Sequence, residues 1–186
     1  MNGQHLCIAR RYLTTFVTEQ AEESSRRLGF DWRGSEVAPS NFTDLQREHR
    51  SSELSGLPLR VSSRFCDQSI YDSPRGNQAM RFWHDTSHVR LGLNFTPDDE
   101  MELGCYHLEA LRAEGFAAAS LEHRLLHADT IGQTLCKVTI GQFPIDQLRF
   151  AQTATRLGIA AAIEDVARRE LAAGRGADTS PDGEAA

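Results

Sequence analysis

The stretch that most constrains this chain is His84-Asp85-Thr86-Ser87-His88, followed by eleven residues and then Glu100. If residues 79–90 are helical, His84 and His88 stand one turn apart on one face, and Asp85 borders that face at about 60–100° from them. The Leu-Gly-Leu-Asn-Phe segment that follows can turn the chain. Thr96 then offers an N-cap, Pro97 suits the first helical position, and Asp99 completes a pattern resembling a capping box. Glu100 therefore falls in the first turn of a second helix and can be aimed back at the histidines. The stretch thus calls for two helices meeting across a tight turn. His84, Asp85, His88 and Glu100 are its candidate ligands for Zn2+ or Fe2+, since both metals accept imidazole and carboxylate.

Helical periodicity recurs elsewhere. Leu6, Ala9, Leu13, Phe16 and Val17 give residues 4–28 an apolar face, with Gly29 as the stop. A core-packing role suits this helix better than a membrane surface, because Glu22 and Glu23 spoil its distal half for lipid. Residues 30–56 are weakly patterned, with a loop around Gly34 to Asn41 and a short helix capped by Asn41 or Thr43. Leu59, Val61 and Phe65 alternate as in a strand, with Gln68 to Tyr71 as a partner, so a small β-hairpin is expected near residues 58–72. Asp72 to Asn77 reads as a turn. Further helices are expected from Gln78, over 97–114, over 117–136 and over 145–173. The expected fold is a mainly α, single-domain helical bundle over 1–173, with a disordered tail over 174–186.

This histidine-carboxylate pattern resembles the H-D-x-x-H-x11-E signature of the zinc-binding coenzyme Q biosynthesis protein four family. His84, Asp85, His88 and Glu100 match it position for position, over about seventeen residues. The resemblance implies a mostly helical, membrane-associated protein that binds metal through those four residues. It also implies action on the aromatic head group of prenylated ubiquinone precursors, where the family is linked to removal of a carboxyl group. As an enzyme the chain would be a metal-dependent lyase or oxidoreductase, performing decarboxylation or oxygen chemistry on an aromatic or prenylated small molecule.

Other residues are candidates around such a site. Phe82 and Trp83 would give it an apolar wall. Gly104 would allow close approach, and His107 lies two turns from Glu100. His123, His127 and Asp129 follow on the next helix and are candidate extra ligands or supports of the ligands. A second arrangement, His49 with His84-Asp85 and Asp129, could be fitted to the HD-domain phosphohydrolases and oxygenases, but that reading leaves Glu100 without a role. A third is a non-enzymatic accessory or interaction protein with a structural metal, since no obvious nucleophile is present.

Charge and composition narrow the partners. The net charge of −6 argues against a nucleic-acid footprint and against attachment to anionic lipid. A small-molecule or lipid-like ligand remains. The four cysteines show no C-x-x-C spacing and are expected to be reduced. No run reaches the roughly 18 apolar residues of a membrane span, and Arg10 and Arg11 interrupt any signal-peptide core. A cytoplasmic protein, peripheral to a membrane at most, is expected.

Overall fold

The computed structural model describes residues 3–177, with side chains through residue 172. The fold is mainly α. Helices α1 (Gly3–Leu28), α2 (Phe42–Ser55), α3 (Pro74–Leu91), α4 (Pro97–Ala113), α5 (Leu121–His127), α6 (Gln133–Ile140), α7 (Gln147–Leu157) and α8 (Ile159–Ala177) surround one core. Strands β1 (Trp32–Ser35) and β2 (Leu59–Ser62) make a small sheet at its side.

The core begins where α1 lies along α3. Ala9, Leu13, Phe16 and Val17 recur at helical spacing and are buried. Phe16 meets Trp83 edge to face, ring centroids 5.5 Å apart. On the same helix Phe82 stacks on Trp32 of β1 at 4.9 Å. Such aromatic pairs add to the burial of large apolar area and fix the rotation of α3 about its axis. That rotation decides where the histidines of α3 point.

The expected hairpin does not form. The strand over 59–62 exists, but it pairs in parallel with β1, in a segment expected to be loop, with Trp32 opposite Leu59 and Ser35 opposite Ser62. A parallel pair needs a crossover, and α2 provides it. Alternation over 59–65 says that a strand is present, but not which strand it joins. Residues 68–71 are irregular; their hydrogen bonds run from Leu148 N–H to the Gln68 carbonyl and from Arg10 to the Ser69 and Tyr71 carbonyls.

Several helix boundaries also differ. The turn expected over 72–77 is the start of α3 itself: Ser73 accepts from the Gly76 N–H and Pro74 takes the first turn. The helix expected over 117–136 starts later, under the Ser120 cap, and continues to Ile140 through a π-helical turn at Ala128–Gly132. The helix expected over 145–173 is broken at Gly158, whose φ of 93° favours glycine, into α7 and α8. Helix α8 runs on to Ala177, past the expected boundary at 173. The rest of the expected tail, 178–186, lies outside the described residues. Among the described residues, no helix is long and apolar enough to cross a membrane.

Candidate metal centre and its cleft

Helix α3 presents Asn77, Arg81, His84 and His88 at steps of four, three and four residues, so one face carries all four. Its C-terminal end sets the orientation of the last. Gly92 adopts φ 69°, which lets the Leu93 N–H turn back to the His88 carbonyl at 3.0 Å while the Gly92 N–H reaches Val89. This pair of bonds is a Schellman turn. It also brings the Leu93 carbonyl to 3.0 Å from His88 Nδ1. A carbonyl only accepts, so Nδ1 donates; in the neutral ring Nε2 is then the nitrogen that carries the lone pair, and it faces His84 and Glu100.

Gly92→Ala should therefore do two things. No atom crowds the added Cβ, so the stability cost is backbone strain of about 1 kcal/mol, read by chemical denaturation. Displacement of the Leu93 carbonyl should also weaken zinc binding. Gly115→Ala, at φ 92° and likewise uncrowded, is the comparison: similar strain, unchanged zinc affinity. Equal zinc affinity in both would show that the turn does not orient His88.

Helix α4 brings the carboxylate. The Thr96 hydroxyl accepts from the Asp99 N–H at 3.3 Å, and Pro97 takes the first turn. Asp99 reaches back to the Asn94 N–H at 2.9 Å, beyond the cap residue to which a capping box would return. With the helix start pinned on both sides, Glu100 faces α3.

Three ligand atoms then converge. His84 Nε2 lies 3.0 Å from His88 Nε2 and 3.3 Å from Glu100 Oε2, and His88 Nε2 lies 3.5 Å from Glu100 Oε1. All three residues fall within a single group whose ligand atoms lie within 4.8 Å of one another. Zinc bonds of about 2.0–2.1 Å place tetrahedral ligand atoms about 3.3 Å apart, and an octahedral face of similar bonds places them about 3.0 Å apart. The observed spacing fits a shared ion of either geometry. His88 is wholly buried, and lone pairs brought this close in a buried setting call for a cation, either a proton or a metal ion.

The charges respond to that convergence. Burial works to raise the Glu100 carboxyl, but hydrogen bonds and charge from both histidines outweigh it and hold it well below the usual carboxylate range. Burial works against the His84 imidazolium, yet the hydrogen bond and charge of Glu100 raise its pKa. Asp85, the fourth expected ligand, does not belong to the close group. Burial pushes its carboxyl up to about 6 against the pull of His84, His88 and Arg81.

His107 sits behind the group. Its Nε2 is 3.3 Å from His84 Nδ1, and its ring lies against Trp83 with centroids 4.1 Å apart. Burial, then the charges of His84 and His88, hold it well below the usual imidazole range, so it is neutral. With a metal on His84 Nε2, Nδ1–H would donate to His107 Nε2, leaving the buried His107 Nδ1 without a hydrogen-bond partner. This is the support that metal-binding histidines ordinarily have on the second nitrogen.

A cleft of about 250 Å³ opens from the ligand group, lined among others by Arg81, His84, Glu100, Asp129, Tyr71 and Gln133. Asp129 lies in the π-helical turn, a feature frequent at functional sites. It accepts from the Tyr71 hydroxyl at 3.0 Å and from Gln133 Nε2 at 2.6 Å. Burial lifts its carboxyl to about 6, against the pull of Tyr71 and Arg81. The Tyr71 hydroxyl is held well above its ordinary value by burial and by Asp129.

The remaining sequence candidates fall elsewhere. Phe82 and Trp83 are core residues of α3 itself, away from the cleft lining. Gly104 gives the close approach expected of it, but to the Ile131 side chain of the π-helical turn. His123 and His127 line a separate groove with Arg124 and Thr155. His49 packs edge to face on Phe30 and lies 3.7 Å from Glu53. Arg81, Tyr71 and Gln133 were not among the sequence candidates. Arg81 had a signal in its spacing, one turn before His84; Tyr71, in an irregular segment, had none.

No protein-family model, curated protein or solved structure matches this chain.

Proposed function

We propose that this chain is a mononuclear metalloprotein in which His84, His88 and Glu100 hold one Zn2+ or Fe2+ at the head of the cleft, and that it acts on a small molecule bound there. The observation that carries the reading is the convergence of two imidazole nitrogens and one carboxylate at ligand spacing, with the His88 tautomer set by the Leu93 carbonyl. Three protein ligands leave coordination positions open, the pattern of catalytic rather than structural sites. A metal there supplies a Lewis acid for a carbonyl or carboxylate oxygen or, as Fe2+, a centre for oxygen chemistry. The protein's own part is to orient His84 through His107 and to hold a ligand between Arg81 and Asp129.

The resemblance to the zinc-binding coenzyme Q biosynthesis family supports the same four-residue region and extends the reading. Asp85 would then sit beside the ligands and tune their charge. The molecule acted on would carry an aromatic head group, and the reaction would be a decarboxylation or an oxygen-dependent step.

Calorimetric titration of tag-free protein tests the reading. The wild type should bind about one equivalent of zinc or ferrous ion and melt at higher temperature when loaded, since an ion at 100 times its Kd adds about 2.7 kcal/mol. The His84→Ala, His88→Ala double variant should show neither effect. Undiminished uptake by that variant would remove these residues from the account.

A further inference from the structure

Two helical segments face each other across the cleft, and what they carry differs in sign. The α3 side offers Arg81, one turn before the metal-binding His84, with Nη1 donating to the Ser62 carbonyl at 2.6 Å. That bond anchors the guanidinium and leaves its other donors for a ligand. The opposite side offers Asp129, already accepting from Tyr71 at one oxygen and Gln133 at the other. Each carboxylate oxygen retains a lone pair, so Asp129 can still accept from a ligand and has no proton of its own to give while ionised. Tyr71 is buried and Gln133 nearly so. The carboxylate is therefore held in place before any ligand arrives, and the π-helical turn projects it from a rigid helix rather than from a loop.

The charges specify the ligand further. With a divalent ion in place, the ion and Arg81 gather positive charge at one end of the cleft, where Glu100 and Asp85 offset part of it, and Asp129 places negative charge at the other end. That polarity puts an anionic group of the ligand at the metal and Arg81 end. The Asp129 end repels a second anion but rewards a hydroxyl. The volume of about 250 Å³ is below the usual range for drug-sized ligands of ~300–1,000 Å³, so the part of the ligand that enters is small.

We infer that the cleft selects short hydroxy-carboxylates, taking the carboxylate at the metal and Arg81 and the hydroxyl at Asp129. The inference rests on the metal-binding reading above and names the ligand class of that same site. Asp129 then acts as a specificity residue: it does not touch the metal, and it discriminates by whether a hydroxyl is present to meet it.

The test uses full-length zinc-loaded protein, with 3-hydroxypropionate and propionate as probes in calorimetry. The two differ only in the hydroxyl. Wild type should bind 3-hydroxypropionate about tenfold or more tightly than propionate, as expected for a hydrogen bond to a charged acceptor. Asp129→Asn should load zinc as the wild type does while the ratio falls below about threefold. A hydroxyl that bound only by chelating the zinc would keep its advantage in that variant, and an unchanged ratio would overturn the inference. Equal wild-type affinities, or no binding of either probe, would overturn it as well, and that comparison needs no variant to fold. Failure of wild type to take up zinc would instead remove the metal reading, and this inference with it.

Discussion

Glu100→Gln should cut zinc affinity by at least about 10–100-fold, the loss seen even for residues that only support metal ligands. The substitution preserves size and leaves the start of α4 intact, since the cap is made by Thr96 and Asp99. What it removes is the negative charge that faces His84 and His88 at 3.3 and 3.5 Å. The neighbouring Asp99→Asn separates the two roles of this turn. Asp99 holds the Asn94 N–H, so its replacement should cost stability of under about 1 kcal/mol and leave zinc affinity alone. If Glu100→Gln bound zinc as tightly as Asp99→Asn, Glu100 would not be a ligand.

The second large effect is on stability. Trp83 is 2% exposed, meets Phe16 edge to face and backs the His107 ring. Trp83→Ala should destabilise by about 3–5 kcal/mol, lowering the melting temperature by roughly 10 °C for a chain of this length. The loss should not be confined to packing. With its wall removed, His107 should hold His84 less well, and zinc affinity should fall in the variant even under conditions where it remains folded. Leu57→Ala, at a residue 66% exposed, should stay within about 0.5 kcal/mol of wild type. A small shift at Trp83 would show that the α1–α3 seam does not support the site.

The parts of this molecule legible in the sequence are those fixed by local rules. Helix α1 has its period, α2 its Asn41 cap, and α4 its Thr96-Pro97 start; each is decided by residues within one or two turns. The ligand group was legible for the same reason. His84 and His88 share a helix, and Glu100 follows at a distance that one turn and one cap determine. The β1–β2 pairing was not legible, because Trp32 and Leu59 meet only through tertiary packing. Nor was the cleft. Tyr71 reaches Asp129 from an irregular segment 58 residues earlier, and no period or spacing announces such a contact. The π-helical turn is a comparable case. Its apolar stripe continues that of α5, and the turn lies against partners distant in sequence, with Ile131 close to Gly104 and Gly132 close to Phe150.

Anomalous diffraction at the zinc edge locates the ion directly. Crystals of tag-free protein grown with one equivalent of zinc should show a single strong peak within about 2.0–2.2 Å of His84 Nε2, His88 Nε2 and a Glu100 carboxylate oxygen. A dominant peak elsewhere, or none at this group with zinc in the crystal, would contradict the account.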